Sequence, residues 1–568
     1  VAFKMTKNLW FISGYESGEY KKELAPDGYM DTQIYEAQIP PMLRLFHIKG
    51  ISPSGWVSLP RSKCNRVGSK TTTCTFEFNI KYTDIISLPH KETNVPYKIC
   101  SFDIEASSSH GDFPLAIKTY RKLATNIIDL WKHIGKLDPE EYLRDIVLSS
   151  FGYADEPIDG VETVYPKKPI TNDKLNQIIE KFINAKLSSS KNEYQSGMDT
   201  IPTYEGEEPQ QCNMEDNAGP YDFMKKKVIR GYGKKYTIIG LLSNTDTPRD
   251  TKLLEVTNSM GKLFPPLEGD IVTFIGSTFI KNGDEIPYLN HCIARDTCDD
   301  MRDVNNAVIE SYPTEKQVLM AWKDIIQKED PDIIIGYNIF GFDYNFLFDR
   351  AKELGILEKF MVLGRNKNEL SVKKDWKSKE YKLDGSTIFL ASGQHDLNYP
   401  VMNGRLQVDL YNYLRREYQL PKYKLDFVSG YFIGDYIHKI KHDTSKQTTT
   451  LYTKNITGLE VGNFINIDEE GHSTNAYKDG AKFNVTHIDI EAGHITISGL
   501  EQPDETKKIR WGIAKDDVTP QDIFRMTNEG PSERAVIAKY CIQDCNLVQN
   551  LLKKIDVLTG FTEMSKLC

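Results

Sequence analysis

Y-K-I-C-S-F-D-I-E at 97–105 reads as one β-strand with two unlike faces. Side chains two apart in a strand point the same way. Phe102 and Ile104 therefore share an apolar face, while Asp103 and Glu105 project together from the other. Two carboxylates at the end of an apolar strand repel each other and are costly to hold unless a cation sits between them. Hard oxygen donors of this kind suit Mg²⁺ or Mn²⁺. Taken alone, the same stretch also fits an edge strand with solvated acids.

Downstream, strands and helices alternate. G-D-I-V-T-F-I-G-S-T-F-I at 269–280 reads as a strand pair, and T-E-K-Q-V-L-M-A-W-K-D-I-I-Q-K at 314–328 as a helix. D-I-I-I-G-Y-N at 332–338 is a buried strand leading to a turn. F-L-F-D-R-A-K-E-L-G at 346–355 is a helix ending at Gly355, and V-M-N-G-R-L-Q-V-D-L-Y at 401–411 another strand. This order predicts an α/β unit. Upstream, F-H-I-K-G-I-S-P-S-G-W-V at 46–57 and T-T-T-C-T-F-E-F-N-I-K-Y at 71–82 alternate like strands, so residues 1–98 are assigned to a separate α+β amino-terminal domain. The remainder, 99–568, is expected to form the α/β unit, interrupted twice. A polar, partly mobile insertion is expected over 121–261 (S-S-S-K-N-E-Y-Q-S-G, E-G-E-E-P-Q-Q and the Lys225–Lys227 run belong to it) and a β-rich one over 441–512.

Two further motifs carry acids. In G-Y-N-I-F-G-F-D-Y at 336–344, a strand runs through a turn at Gly341 and Asp343 opens a helix, where an N-cap role is the simple reading. In Y-C-I-Q-D at 540–544, within the helix pattern of 531–554, Tyr540 and Asp544 are four apart and share a face. They fit either a positioned water and metal or an ordinary solvent-facing pair. Cys541 and Cys545 form a second such pair, read as small buried residues.

The bulk properties narrow the class. At 568 residues the chain needs several cores, roughly three or four domains. The net charge of −9 excludes binding DNA by bulk charge and leaves local patches to do it. No apolar run is long enough for a membrane span. Nine scattered cysteines without a C-x-x-C pair read as reduced thiols of an intracellular protein, with no zinc site. The basic and aromatic segment at 364–382, with Trp376 and Tyr381, suits single-stranded nucleic acid, though a solvated loop of ordinary charge is the simpler reading. The first residues, V-A-F-K-M-T-K-N, and the stop at Cys568 read as cuts in a longer protein.

In combination the motifs say more than singly. D-x-E on a strand, N-x-x-x-F-D after a strand and Y-x-x-x-D on a late helix resemble exonuclease motifs I, II and III of the family B DNA polymerases, the tyrosine subtype of the DEDD exonucleases. G-R-L-Q-V-D-L-Y-N-Y-L-R-R-E-Y-Q-L-P-K-Y-K-L at 404–425 is similar to the delta-type segment before motif III, and D-I-E-A-S-S-S-H-G-D-F-P at 103–114 to enzymes of large DNA viruses. The resemblance is good over about 99–120 and 262–568 and weak over 1–98. It implies a ribonuclease H-like exonuclease domain, a mixed sheet flanked by helices, that proofreads for a DNA-directed DNA polymerase. Asp103, Glu105, Asp343 and Asp544 would hold two divalent ions, Mg²⁺ or Mn²⁺, about 4 Å apart. Tyr540 would orient the attacking water. Asn338 and Phe342 would shape the pocket for the 3′ nucleotide, and Asp409 would be structural or lie near the site. The partner would be DNA, as a single-stranded 3′ end or a primer–template. A sliding clamp or other replication subunits would be reached through the missing part. The place of action would be the nucleus or a cytoplasmic viral replication site. The polymerase motifs, D-x-x-S-L-Y-P and a D-T-D turn, are absent; S-N-T-D-T-P-R-D at 243–250 is a chance match without a preceding strand. The polymerase site is thus expected beyond this segment. A free-standing exonuclease of the same superfamily and a non-catalytic DNA- or partner-binding scaffold are the rival readings.

Overall fold

The computed structural model describes residues 39–93, 95–108, 114–154, 156–185, 237–302, 304–390, 393–471, 473–515 and 518–566. The starting octapeptide, the polar stretches at 188–197 and 205–211, Lys225–Lys227 and Cys568 lie outside them. The chain divides into two compact units, one made of residues 1–97, 365–367 and 552–568, the other of 98–364 and 368–551.

The first unit has little regular structure. A helix covers Pro41–Lys49. Two short antiparallel pairs follow, Trp56–Ser58 with Ile86–Leu88 and Asn65–Arg66 with Phe78–Asn79. The strand reading of 46–57 is therefore corrected. Pro41 opens the helix and Gly50, in the left-handed region, closes it, which is how proline and glycine punctuate helices. Of 71–82 only Phe78–Asn79 is strand.

The second unit is built on a six-stranded mixed sheet. Its strands are β1 (Lys98–Ser107), β2 (Ile271–Lys281), β3 (Leu289–Arg295), β4 (Ala307–Tyr312), β5 (Ile333–Gly336) and β6 (Leu406–Asp409), in the order β6-β5-β1-β2-β3-β4. β6, β5 and β1 run parallel, β2 is antiparallel to β1 and β3, and β4 is parallel to β3. The stretch 269–280 is thus one long strand rather than a strand pair; its buried residues follow one another without a turn.

β1 alternates as its sequence demands: Phe102, Ile104 and Ala106 are buried, and Asp103 and Glu105 lie on the more open face. Phe102 packs with its ring centroid 5.0 Å from Trp322 and 5.3 Å from Tyr344. Between the first two strands the described residues form five helices: α1 (Arg121–Trp131), α2 (Pro139–Ser150), α3 (Asn172–Ile183), α4 (Ile238–Ser243) and α5 (Arg249–Leu263). They share a core of their own around Leu123, Ile127, Leu143, Ile179 and Val256. S-N-T-D-T-P-R-D at 243–250 joins α4 to α5, so a helix and not a strand precedes it.

α6 (Glu315–Glu329) is capped by the Thr314 hydroxyl on the Gln317 N–H and buries Val318, Leu319, Trp322, Ile325 and Ile326, the spacing of one helical face. α7 (Asp343–Glu353) is tied to it. Arg350 reaches Glu315 at 2.6 Å and Glu353 at 2.8 Å, and Glu315 also accepts the Val272 N–H at 2.9 Å. α8 (Leu410–Glu417) and α9 (Leu425–Phe432) lead into a closed antiparallel barrel. Its strands are β7 (Gly434–Asp443), β8 (Thr448–Thr453), β9 (Phe464–Glu470), β10 (Phe483–Asp489), β11 (His494–Ser498) and β12 (Lys508–Ala514), and β9 pairs with β12 to close it. Leu451, Ile465, Val485, Ile497 and Trp511 are among the side chains buried in this region. α10 (Pro520–Asn528) and the long α11 (Pro531–Ile555) follow, and a further helix over Val557–Ser565 belongs to the first unit.

α11 lies against the sheet at one very close point. A Cβ on Gly276 of β2 would stand 2.7 Å from Cys541 Sγ and 3.3 Å from the Cys541 backbone. Gly276→Ala should therefore destabilise the protein by about 1–3 kcal/mol through overpacking. Chemical denaturation measures it; an unchanged midpoint would show that helix and sheet can separate freely.

Candidate active site

Gly276 is the register partner of Asp103. The absence of a side chain there lets α11 reach the strand that carries the acids, and the Cys541 thiol sits 3.6 Å from the Asp103 carbonyl oxygen. Tyr540 and Asp544, on the same turn of α11, arrive with it. β5 leaves the sheet after Gly336, whose neighbour Ile335 is level with Ser101. The acidic end of β1 thus runs on past its parallel neighbour.

The turn at 337–342 is fixed by a residue whose role the sequence left open. Asp409, at the end of β6, is level with Gly336. Its carboxylate accepts the N–H groups of Asn338 at 2.8 Å, Phe340 at 3.1 Å and Tyr411 at 3.0 Å, and the Asn412 side chain at 2.8 Å. Asp409 is a positioning residue. Asn338 has φ +63°, a conformation asparagine tolerates. A Cβ on Gly341 would stand 2.3 Å from Asn338 Oδ1, so a side chain there would have to displace the Asn338 amide. Phe342 follows, half-buried, its ring centroid 5.4 Å from that of Phe346. Asp343 is the first residue of α7 and is buried, and its Oδ1 has no hydrogen-bond partner. It is not the helix cap: Phe342 holds that position.

These acids face one another. Burial, with Asp544 next and Lys515 opposing, pushes Asp103 up to about 7. Burial and then Asp103 and Asp544 drive Glu105 well above the usual carboxylate range. Asp343 is raised by burial and by Asp103. Asp409 rises to about 6 through burial despite its hydrogen bonds. Carboxyl atoms of Asp103 and Glu105 and the Cys541 sulfur lie within 4.8 Å of one another. Cys541 and Cys545 are fully buried, and their thiols are held neutral, Cys545 pushed up to about 12.

One site residue escaped the sequence reading. Lys515 follows β12, and its Nζ lies 2.6 Å from Asp544 Oδ2 and 4.5 Å from the Tyr540 ring centroid. Burial works against its ammonium, but Asp544 and Tyr540 outweigh that and hold the pKa above the ordinary lysine value. Burial and Asp544 in turn raise the Tyr540 hydroxyl, which therefore stays protonated. The structure thus gathers Asp103, Glu105, Asp343, Tyr540 and Asp544 about one site. Asn338 and Phe342 belong to the turn that opens α7.

Residues 32–167 and 254–428, more than half of the chain, match the family model described as DNA polymerase family B, exonuclease domain. The chain belongs to the family B DNA polymerases. The matched residues of this family B polymerase chain include Asp103, Glu105, Asn338, Phe342, Asp343 and Asp409; Tyr540, Asp544 and Lys515 lie outside them. The DNA polymerase of Phaeocystis pouchetii virus is 40% identical over 587 aligned residues, covering 100% of this chain and 56% of that protein. That of Pyramimonas orientalis virus is 31% identical, covering 94% and 40%. The DNA polymerase delta catalytic subunit of Candida albicans is 34% identical over 34% of this chain and 17% of the subunit. The chain thus spans about half the length of the viral relatives it matches. No helix among the described residues is long and apolar enough to cross a membrane.

A raised carboxyl pKa binds its proton more tightly in the folded state than in the unfolded chain, where Asp titrates near ~3.9. The stability it contributes is complete below that value and is lost as pH rises through about 7 for Asp103. In EDTA, the melting temperature should fall from pH 5 to pH 8 by roughly a few °C. Asp103→Asn should flatten the fall, and Mg²⁺ should reverse it at pH 8. A melting temperature in EDTA that is constant across this range would remove the electrostatic account.

Proposed function

We propose that this chain is the 3′→5′ exonuclease, proofreading part of a DNA-directed DNA polymerase, acting on the single-stranded 3′ end of DNA. The observation that carries the reading is the gathering of four acids from β1, α7 and α11, where burial and neighbouring carboxylates raise the pKa values of Asp103, Glu105 and Asp343, with Lys515 paired to Asp544. The order of the mixed sheet, with its antiparallel strand between parallel ones and the acids on the first strand, supports a ribonuclease H-like fold. The share of the viral relatives' length left uncovered supports placing nucleotidyl transfer in sequence outside these residues.

The donor set fits hard divalent ions. All four ligands offer oxygen, their mutual repulsion needs positive charge, and Asp343 Oδ1 is buried without a partner. Asp103, Glu105, Asp343 and Asp544 would hold two Mg²⁺ or Mn²⁺ ions. When bound, such a pair supplies an activated water and stabilises the leaving oxygen of an in-line displacement.

The chain's own groups do the rest. Tyr540, protonated, donates its hydroxyl hydrogen bond toward the attacking water and fixes its direction. Lys515 stays charged beside Asp544 and meets the negative charge that grows on the phosphate. Asn338 and Phe342 bound the pocket of the terminal nucleotide, and Asp409 holds that turn rigid, so that the scissile phosphate is presented at one angle. The product is a nucleoside 5′-monophosphate.

A 5′-labelled single-stranded oligonucleotide in Mg²⁺ tests the reading. Stepwise shortening from the 3′ end is expected, abolished by EDTA and by the Asp103→Ala/Glu105→Ala double change. Lys515→Met should slow it roughly 10²-fold. Intact oligonucleotide with folded chain, in Mg²⁺ and in Mn²⁺ and also with the full-length polymerase, would refute it. Asp409→Asn places an amide against backbone N–H groups. It should cost about 1–3 kcal/mol of stability and slow shortening with the four acids intact; an unchanged rate would remove the positioning role.

A further inference from the structure

The barrel carries a second set of metal-ligating side chains, remote in sequence from the acids of the exonuclease motifs. Strand β10 ends in T-H-I-D at 486–489, and β11 opens with His494. Asp489 and His494 are direct partners across the hairpin, and His487 is paired with Thr496. A β-bulge lies between Val485 and His487. Phe483 and Val485 are buried, and unbroken alternation would send His487 inward after them. The extra residue reverses this and leaves His487 exposed, on the same face as Asp489 and His494. One ligand atom from each of His487, Asp489 and His494 lies within 4.8 Å of the others.

We propose that this hairpin binds a Zn²⁺-class transition-metal ion through His487, Asp489 and His494. Two imidazoles and one carboxylate form a donor set that borderline cations prefer, whereas Mg²⁺ and Ca²⁺ seek more oxygens. His494 Nδ1 is buried without a hydrogen-bond partner, an unpaid cost that a metal or its water would relieve. The Asp489 carboxylate is already oriented, because Oδ1 accepts the Ala492 N–H at 2.8 Å. Tyr452 walls the site on the other side, its ring centroid 5.3 Å from that of His494. Lys439 and Lys441 lie over Tyr452 at 5.7 and 5.2 Å, a positive surround that opposes ions held by charge alone. Tetrahedral Zn²⁺ with bonds of about 2.0–2.1 Å needs donors roughly 3.3 Å apart. The exposed His487 is the ligand with freedom to close that distance. Three protein ligands leave a fourth position open, and the ion would clamp the hairpin's two strands at its turn.

Zinc titration of the 568-residue chain in excess Mg²⁺ tests this, since Mg²⁺ occupies the hard oxygen site. The wild-type chain should bind one more equivalent of Zn²⁺ than either His487→Ala or Asp489→Asn, and its melting temperature alone should rise with that equivalent. Both changes leave the barrel interior intact, and unchanged melting without zinc confirms it. Thiol-bound zinc cancels in the comparison. Equal stoichiometry in all three proteins would overturn the proposal.

Discussion

The contact between Gly276 and Cys541 sets the depth at which α11 meets the sheet. A helix carrying full-sized side chains normally stands about 10 Å from a sheet. Here a missing Cβ in the strand and a small thiol on the helix remove most of the spacer. Tyr540 and Asp544 come within reach of Asp103 and Glu105 only because of that. The contact is wholly buried, and yet the placing of Tyr540 and Asp544 beside the acids of β1 depends on it.

Those charged groups are arranged against their own stability. Asp103, Glu105 and Asp343 are raised first by burial and then by one another, and Lys515 is the cation on Asp544. The remaining rigidity comes from hydrogen bonds made by a different acid. Asp409 uses its carboxylate on backbone N–H groups of the 337–342 turn and of the start of α8, so it organises the loop without adding a ligand. Similar residues, neighbours in space, are thus divided between binding charge and holding shape by what surrounds them.

Strand periodicity made the sheet and the acids legible in the sequence. Residues 97–105 and 531–554 each have one dominant period and 332–338 is a short unbroken apolar run, and β1, α11 and β5 lie where those patterns put them. Residues 46–57 misled because short alternation outweighed the Pro41 and Gly50 boundaries. The stretch 269–280 misled because two glycines, Gly269 and Gly276, look like turn residues, whereas Gly276 serves helix packing. Lys515 was invisible: a single lysine after a strand carries no local pattern, and only the path of the barrel brings it to Asp544. His487 was hidden for a similar reason, since a bulge that reverses its direction leaves no mark in the order of residues.

The barrel also has an entrance and an exit side by side. Gly434, where the chain enters, is paired with Gly512, where it prepares to leave, and a Cβ on Gly434 would stand 2.3 Å from the Trp511 carbonyl oxygen. A loop whose two ends already touch can be lengthened, shortened or exchanged at little entropic cost to the host. Evolution can therefore treat everything from β7 to β12 as a replaceable cassette. One condition restricts that freedom: each replacement must return the chain to the same point, because the next residue delivered is Lys515.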